Sequence, residues 1–425
     1  MLLPKGVGMD EKQEQHKRQQ AIRLWLKGVR PTHILEIISR GWAWWAKWKG
    51  RYQQFGWRGL RSQRRKPQSN LRAYAPSVRQ LIVRVYTQVQ KRRWGLRGAS
   101  AVRHELRVTY RLQPLPSLST IKRVLRKAKL LEGQPTALRK VFYPQPLPSA
   151  TYTIQAMDWT ERFLYGGEKI YSFHTIDLQT RAATQNIAAD KSTETVIAHF
   201  KKVWKIRGIP QGLQMDNDTA FYGSRRVPRL ISRIMRLCLY VGIEPIFIPV
   251  GEAERNGDVE QLHGVWDKAV WQRIDFANLC AAQDFTPQFE HWYMHDYEPP
   301  KLNGRTPQEA EQGQQRFRLT EALWRTIPTD LPITAGRIHF IRRVSESGTI
   351  EVLNEQWHVS KRLIGQYVWA TLWTHRRLLE VFHRRSEESS LKRIKTFRYP
   401  LAETVAPLRS EFKQRRYRRK SFAMS

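Results

Sequence analysis

The sequence predicts an α/β core with a mixed sheet, preceded by two all-α units and followed by a small all-β barrel. In the first third of the chain, apolar residues recur at helical spacing. β-rich runs then alternate with helices, and four alternating strands follow near the end. The net charge divides in the same way: +27 for residues 1–150, −1 for 151–325 and +11 for 326–425. A near-neutral core between cationic ends is typical of an enzyme-like domain carried by polyanion-binding modules.

Composition excludes several classes of protein. The 425 residues are 41% hydrophobic with 16 Trp, which is too rich for a disordered basic tail. No apolar run approaches the roughly 20 residues of a membrane span, and the first residues lack the apolar core of a secretory signal. Two cysteines, Cys238 and Cys280, form neither a disulfide framework nor a Cys-rich zinc site, which favours a reducing compartment. We therefore expect a cytoplasmic protein that binds nucleic acid and has no membrane partner.

The first predicted domain, residues 1–60, reads as a helix-turn-helix unit. Helical apolar spacing runs through Ile22 and resumes at Ile34, and Gly28 interrupts it where a turn would lie. A third helix from Gly41 to Phe55 mixes tryptophans with cations. We predict that its basic residues bind DNA: Lys47, Lys49 and Arg51.

A second helix-turn-helix domain is predicted for residues 77–133. Its last helix, which we expect Ser119 to cap, places cations opposite an apolar stripe. The predicted DNA-binding residues there are Lys122, Arg123, Arg126 and Lys127. These basic faces could instead be merely solvated, but a net charge of +27 within 150 residues favours DNA binding.

The middle of the chain, residues 150–325, is the predicted α/β core. We predict strands at 151–158, 169–178, 181–189, 212–216 and 244–249, with helices at 193–206, 225–241 and from Asp258. This order predicts a mixed sheet covered by helices.

Two segments follow the core. Residues 330–400 read as four alternating strands joined by Gly-containing turns, which predicts a small β-barrel. A basic tail at 409–425 is expected to be disordered when unbound.

Three acids stand out because of where they lie. Asp158 ends the first predicted strand, Asp216 ends the short fourth strand, and Glu260 lies in the first turn of a helix. Adjacent strand ends and a facing helix would bring these carboxylates to one point. Carboxylate oxygens suit Mg²⁺, and phosphoryl transfer commonly uses two such ions. An isolated Asp at a strand end more often caps a turn, but three in this order inside a DNA-binding chain favour a metal site.

Five motifs carry a family resemblance, and they occur in the expected order: MDWT at 157–160, MDN at 215–217, GIEPIFIP at 242–249, NGDVEQLHG at 256–264 and LNGRTPQEA at 302–310. The span 151–312 resembles the catalytic core of retroviral-integrase-type DDE transposases. The whole chain resembles transposases of bacterial insertion sequences.

The resemblance implies a ribonuclease-H-like fold, two N-terminal helix-turn-helix units and often a C-terminal β-barrel. It also implies that Asp158, Asp216 and Glu260 are the catalytic residues and the metal ligands, and that the protein is bacterial and nucleoid-associated. We expect them to hold two Mg²⁺ or Mn²⁺ ions, and we choose Asp158 as the ligand that both ions share.

Two features depart from the family pattern. The family usually has glycine where this chain has Asp218, and this added carboxylate would weaken metal positioning or mark a decayed copy. In addition, 43 residues separate Asp216 from Glu260, and the usual spacing would select Glu252. We favour Glu260 because the Asn-Gly-x-Val-Glu context matches the family. Glu252 and Glu254 stay as alternatives.

Other residues near these motifs have two interpretations. His263, one turn beyond Glu260, would face DNA phosphate or be structural, and the structural interpretation is favoured. Asp177 is expected to cap a turn. A group of arginines near Asp216 would be either a phosphate-binding surface or a solvated face: Arg225, Arg226, Arg229, Arg233 and Arg236.

The function predicted on these grounds is that of a transposase. It would catalyse metal-dependent cleavage and strand transfer at transposon ends by in-line phosphoryl transfer, acting as a homo-oligomer on double-stranded DNA. One alternative is a catalytically inactive DNA-binding protein, either a transposase relic or a regulator. A ribonuclease-H-like nuclease is the other. The sequence does not indicate whether an accessory ATPase or target selector takes part.

Overall fold

The chain forms two compact units, Met1–Tyr74 and Ala75–Ser425. The computed structural model describes residues 7–62, 74–89, 91–96, 98–131, 141–149 and 152–413, with the backbone alone for residues 7–12. Within these ranges, no helix has both the length and the apolar character needed to cross a bilayer.

The N-terminal unit consists of three helices, α1 (Val7–Leu26), α2 (Pro31–Ile38) and α3 (Trp42–Phe55). Gly28 lies between α1 and α2 with φ of +84°, a left-handed conformation that glycine adopts without strain, so the predicted turn is present. Apolar side chains from all three helices, together with Leu60 from the turn that follows α3, form the core of this unit. Those from the helices are Ala21, Ile22, Ile34, Leu35, Ile38, Trp45 and Trp48. Its identification as a helix-turn-helix stays a prediction.

The second helical unit consists of α4 (Pro76–Val89), α5 (Ala99–Val108) and α6 (Leu118–Lys127). It belongs to the larger compact unit. Ser117, not Ser119, caps α6, because its hydroxyl accepts a hydrogen bond from the backbone N–H of Thr120 at 3.2 Å. The predicted cap was therefore two residues late, since α6 has already begun at Leu118.

One nine-stranded sheet runs through the larger unit, in the order β3-β2-β1-β4-β5-β6-β9-β10-β11, and β7 and β8 form a separate hairpin. The strands are β1 (Ile154–Phe163), β2 (Lys169–Asp177), β3 (Ala183–Ala188), β4 (Gly212–Met215), β5 (Glu244–Phe247), β6 (Arg337–Arg343), β7 (Thr349–Val352), β8 (Glu355–His358), β9 (Tyr367–Trp373), β10 (Leu378–His383) and β11 (Lys392–Arg398).

Strands β1, β2 and β3 form antiparallel pairs in that order. On the other side of β1, β4 pairs with it in parallel, and β5 pairs in parallel with β4. The predicted mixed sheet is therefore present. The helices of the core are α7 (Thr193–Arg207), α8 (Thr219–Tyr222), α9 (Arg233–Tyr240), α10 (Gly257–Trp266), α11 (Leu279–His295), α12 (Pro307–Glu311) and α13 (Glu321–Arg325). The helix predicted at 225–241 begins only at Arg233, where the Ser232 hydroxyl caps it.

Helices cover both faces of the core sheet. One face packs against α7 and α9 through side chains that include Phe200, Trp204 and Met235. The other face packs against α10 and α11 through side chains that include Trp266 and Phe289. In β1 and β2, residues on opposite faces contribute to different cores: Met157 and Phe173 to the first, and Ala156 and Ile176 to the second. This alternation is expected of a sheet that is covered on both sides.

The C-terminal strands extend the core sheet, and the predicted separate barrel is not confirmed. Strand β6 pairs in parallel with β5, with Ile246 opposite His339 and Phe247 opposite Phe340. Among the described strands, β11 pairs only with β10, so the sheet order is open. Without β6, β5 would be an exposed edge of the core sheet, and pairing with β6 satisfies the backbone groups of that edge.

Three details of this region differ from the prediction. The second of the four strands predicted in this region, TIEVLNEQWHV at 349–359, is instead a hairpin, because Leu353 and Asn354 both adopt positive φ in a two-residue turn. Strand β11 was not predicted. The tail from 409 begins with an ordered turn whose Phe412 is fully buried against Tyr240, and its residues 414–425 lie outside the described ranges.

Candidate active site

The prediction that Asp158 ends the first strand is wrong, because Asp158 lies in the middle of β1 (Ile154–Phe163). Strand β1 continues to Phe163 because β2 pairs with it along its whole length. The pairing of β1 with β4 ends earlier, at Ala156 opposite Gln214. Asp158 thus has a paired strand on one side only, at the position where the chain leaves β4.

Asp158 and Asp216 lie at matching positions. In the parallel pair Ile154 is opposite Gly212, and each acid lies four residues further on. Met157 and Met215 belong to the core under α7 and α9. Because side chains alternate along a strand, we place both carboxylates on the opposite face, which α10 covers. His174, the cross-strand partner of Asp158, supports this placement, since its ring lies 4.7 Å from the ring of His263 on α10.

Glu260 is in the first turn of α10, and a pair of buried amides fixes the start of that helix against the strands. Asn256 donates a hydrogen bond to the backbone carbonyl of Met157 at 3.3 Å. Its own amide oxygen accepts one from the side chain of Gln214 at 2.9 Å. The start of α10 is therefore tied to β1 and β4 next to their acids. Neither Gln214 nor Asn256 was predicted to have this role, because two amides that lie 42 residues apart form no periodic pattern in the sequence.

Negative charge is concentrated at Asp158. Burial raises the pKa of this carboxyl to about 7; the charges of Asp216, Glu260 and Asp218 add to that increase, and a hydrogen bond from the Trp159 backbone N–H opposes it. Burial also raises the pKa of Asp216 and of Glu260. The charges of Asp216 and Glu260 thus act on Asp158, and the assignment of the three acids to one site stays a prediction.

Asp218, which replaces the usual glycine, has structural partners. Its carboxylate accepts a hydrogen bond from Ala220 N at 2.8 Å and caps α8. Its other oxygen pairs with Lys191 at 3.1 Å. The ammonium of Lys191 also lies 3.8 Å from the centroid of the Trp159 ring. The added carboxylate is thus held by a lysine next to the site.

The alternative third acids are less suited to the site than Glu260. The Glu252 carboxylate accepts hydrogen bonds from Arg255 at 2.8 Å and from the Tyr367 hydroxyl at 2.6 Å. Glu254 is exposed, and its charge contributes to raising the pKa of Glu260. These contacts favour Glu260.

A buried arginine from the C-terminal strands holds the loop that follows Asp216. Arg342 on β6 donates hydrogen bonds to the side chain of Asn217 at 2.8 Å and to the carbonyl of Ile248 at 2.9 Å. Asn217 also donates to the carbonyl of Ile248 at 2.7 Å. The C-terminal strands therefore support the backbone next to the candidate site.

The donor set fits a divalent cation by its chemistry. It consists of carboxylate oxygens, which Mg²⁺ and Mn²⁺ prefer, and the mutual repulsion seen at Asp158 is what a bound cation would relieve. In the part of the chain that the structure describes, no three His, Cys, Asp or Glu side chains are already arranged to hold a metal ion. Asp158, Asp216 and Glu260 stay the predicted ligands.

The predicted DNA-binding residues differ in their surroundings. Those on α3 lie near aromatic rings: Lys47 and Arg51 near Trp48, at 5.3 and 4.8 Å from its centroid, and Lys49 at 4.9 Å from that of Trp25. The four on α6 are exposed, namely Lys122, Arg123, Arg126 and Lys127.

The arginines near Asp216 mostly have protein partners. Arg229 pairs with Glu355, Arg233 with Glu194 and Arg236 with Glu403, and Arg225 donates a hydrogen bond to the carbonyl of Asn217. These contacts favour a structural role over a phosphate-binding surface.

The two remaining residues have structural surroundings. Burial lowers the pKa of His263 to about 4, which keeps its ring neutral. Asp177 caps a turn as predicted, because its carboxylate accepts hydrogen bonds from the backbone N–H groups of Gln179 and Thr180.

Comparisons with known proteins give structural likeness only. No protein-family model and no curated protein matches the chain. Among solved structures, the chain is similar to the HTLV-2 integrase catalytic core domain in complex with magnesium (trimeric form). The sequence identity is 18% and the TM-score 0.30, over 39% of this chain and 99% of that chain. It is also similar to a chain of the simian T-cell lymphotropic virus intasome in complex with PP2A regulatory subunit B56 gamma. There the identity is 12% and the TM-score 0.35, over 71% of this chain and 99% of that chain.

Proposed function

We propose that the chain is a DNA transposase of the retroviral-integrase type, which cleaves and joins DNA strands at transposon ends with Mg²⁺ or Mn²⁺. The observation that carries the proposal is geometric: Asp158 and Asp216 lie at matching positions beyond the paired residues of β1 and β4, and Asn256 ties the start of α10, which bears Glu260, to both strands. The raised pKa of Asp158 agrees with this placement. Burying acids next to one another destabilises a protein, so such an arrangement is expected mainly where the acids serve a function. Carboxyls with perturbed pKa values cluster at catalytic sites.

Each acid has a role in this proposal. Asp158, Asp216 and Glu260 would hold the divalent cations, with the Asp158 carboxylate shared and each of the other two acids holding one ion. When bound, the divalent cations activate a water or a DNA 3′-hydroxyl and stabilise the departing 3′ oxygen. The rest of the protein contributes placement: Asn256 holds α10 against β1, and Arg342 holds the loop after β4.

Plasmid nicking and strand transfer in Mg²⁺ test the proposal. We expect Asp158→Asn, Asp216→Asn and Glu260→Gln to reduce both activities to background, because each removes a carboxylate ligand. Glu254→Gln is the matched control, since it removes an exposed acid from the loop before α10 and should leave both activities intact. Full activity in Asp158→Asn or Glu260→Gln would show that the acids are assigned incorrectly.

Thermal unfolding supplies a readout that does not depend on catalysis. Mg²⁺ should raise the Tm of the unmodified protein, because ligand binding stabilises the folded state. In Asp158→Asn that increase should be largely lost, while the Tm of the metal-free variant should rise, since a buried carboxylate next to Asp216 has been removed. An undiminished Mg²⁺ response in this variant would contradict the assignment.

A second candidate function is DNA binding without catalysis, as in a transposase relic or a regulator. It is favoured by the absence, among the described residues, of three side chains already arranged to hold a metal ion, and by the extra carboxylate of Asp218. Binding to transposon-end DNA in EDTA, with no nicking in either Mg²⁺ or Mn²⁺, would select this candidate.

A further inference from the structure

A cleft of about 1040 Å³ lies between the second helical unit and α10. One wall is formed by the start of α5 and by α6. The opposite wall is formed by α10 and the π-helical turn Asp267–Trp271 that follows it. The cleft therefore connects α6, which carries predicted DNA-binding residues, with the helix that carries Glu260.

Buried contacts hold the two walls together. The ring of Trp94 stacks on that of Trp292 at 4.9 Å, which joins the second helical unit to α11. The Glu298 carboxylate is almost fully buried, and it pairs with His104 at 3.1 Å and Arg107 at 2.8 Å, both on α5. These contacts make the cleft a fixed feature of the larger unit rather than a gap between loosely joined parts.

The lining of the cleft is cationic. Among the described residues that line it, none is Asp or Glu and four are basic: Lys122, Arg126, Lys268 and Arg273. Gln261, Gln272 and Tyr297 add hydrogen-bonding groups. The start of α5 also faces the cleft, and backbone N–H groups at a helix start attract anions. This chemistry suits a polyanion.

On α10 the cleft is bordered by Gln261 and Gly264, with Lys268 one turn beyond. A Cβ atom added to Gly264 would meet no atom within 4 Å, so the helix surface there is open to a ligand. Gln261 directly follows Glu260 in the sequence, so a strand in the cleft would lie next to the helix turn that bears the candidate acid.

We propose that this cleft binds the phosphate backbone of duplex DNA and that one subunit thereby guides the same duplex from α6 to α10. The choice of duplex DNA as the ligand rests on the proposed function. It adds a binding surface that includes core residues, chiefly Lys268, Gly264 and Arg273.

The first test isolates charge within the cleft. Gly264→Glu and Gly264→Gln have side chains of nearly equal size, and both extend into open space. We expect the Glu variant to bind a fluorescently labelled duplex about fivefold to tenfold more weakly than the Gln variant at 0.1 M salt. The added carboxylate repels the DNA phosphates, and the expected effect is comparable to the loss of about one phosphate contact. Fluorescence anisotropy in EDTA measures this without catalysis, and equal Tm values would show that both variants fold.

The second test counts ionic contacts. Lys268→Gln should lower the slope of log affinity against log salt by about one, because one phosphate contact is lost. The matched control is Arg325→Gln on α13, an exposed cation outside the cleft, which should leave the slope unchanged.

Equal affinities for the two Gly264 variants, or an unchanged slope for Lys268→Gln, would overturn the inference. So would variants that weaken binding of single-stranded RNA or an acidic protein while duplex binding stays intact. If the cleft variants lose affinity but the unmodified protein never nicks DNA, the inference stands and the proposed catalytic function fails.

Discussion

At the scale of single residues, Asn256 ties together the segments that carry the candidate acids, although it is not itself an acid. It is fully buried and connects Gln214 on β4 with the Met157 carbonyl on β1, one residue before Asp158. We regard it as a positioning residue, because it acts through the start of α10.

Replacing Asn256 separates positioning from stability. Asn256→Ala leaves a buried amide and a buried carbonyl without partners, which should cost about 1–3 kcal/mol of unfolding free energy. We also expect a higher Mg²⁺ concentration for half-maximal nicking, since the start of the helix that carries Glu260 is no longer tied to β1 and β4. Mg²⁺ titrations of activity and urea unfolding measure the two effects.

Asn278→Ala is the matched control for this prediction. It removes the N-cap of α11, where the Asn278 side chain accepts a hydrogen bond from Ala281 N at 2.9 Å, and should cost about 1 kcal/mol. Its Mg²⁺ requirement should be unchanged. If both variants shift the Mg²⁺ requirement equally, Asn256 contributes stability alone.

At the scale of elements, the junction of β5 and β6 depends on one buried carboxylate. Glu244 on β5 accepts hydrogen bonds from Arg337 at 2.6 Å and from His339 Nε2 at 3.1 Å, both on β6. Nε2 is the protonated nitrogen, because Trp369 Nε1 donates to Nδ1. Burial acts to raise the pKa of Glu244, but the hydrogen bond from His339 and the charge of Arg337 outweigh it and lower the pKa to about 2.

The stabilisation from Glu244 should depend on pH in a defined direction. The folded-state pKa is depressed from 4.5, so the stabilisation is present above that pH and is lost as the pH falls towards 2. Glu244→Gln should therefore cost about 3–5 kcal/mol at pH 7 and much less at pH 3. Urea unfolding of both proteins at the two pH values measures the difference.

Glu380 on β10 provides the comparison. It is also buried, but its partner Arg393 is mostly exposed, so Glu380→Gln should cost less at pH 7. A constant cost of Glu244→Gln between pH 7 and pH 3 would argue that the junction does not depend on the charge of that carboxylate.

At the scale of the whole molecule, positive charge is spread over both compact units. Residues 1–74 carry 17 basic and 4 acidic side chains, and the rest of the chain keeps a net charge of +24. A chain that begins at Ala75 should therefore still bind duplex DNA. Its slope of log affinity against log salt should be smaller by at least about 2, because the phosphate contacts from α3 are lost. Salt titrations of DNA affinity compare the two chains, and identical slopes would show that the N-terminal unit does not contact phosphates.

Local sequence signals predicted the elements of the core well. The strands up to β5 and the helix at Thr193 follow from alternation and helical spacing, although β1 continues five residues past Asp158. The matching positions of Asp158 and Asp216 come from the register of β1 with β4, which local patterns do not indicate. The tie from Asn256 to Gln214 and the support of Asn217 by Arg342 were not predicted, because these contacts join distant segments through single polar side chains. The pairing of β6 with β5 was missed for the same reason, since a strand that alternates does not show which edge it joins.

The pairing of β5 with β6 also has a consequence for synthesis of the chain. Phe247 and its partner Phe340 are 93 positions apart. At a translation rate of about 5–20 residues per second, β5 waits roughly 5–20 s after it is made before its neighbour has been added. During that interval the nascent core exposes an unpaired, apolar edge, which is a site for misassociation with other chains. Ribosome-bound intermediates that end between these positions are therefore the forms of this protein that most need a chaperone.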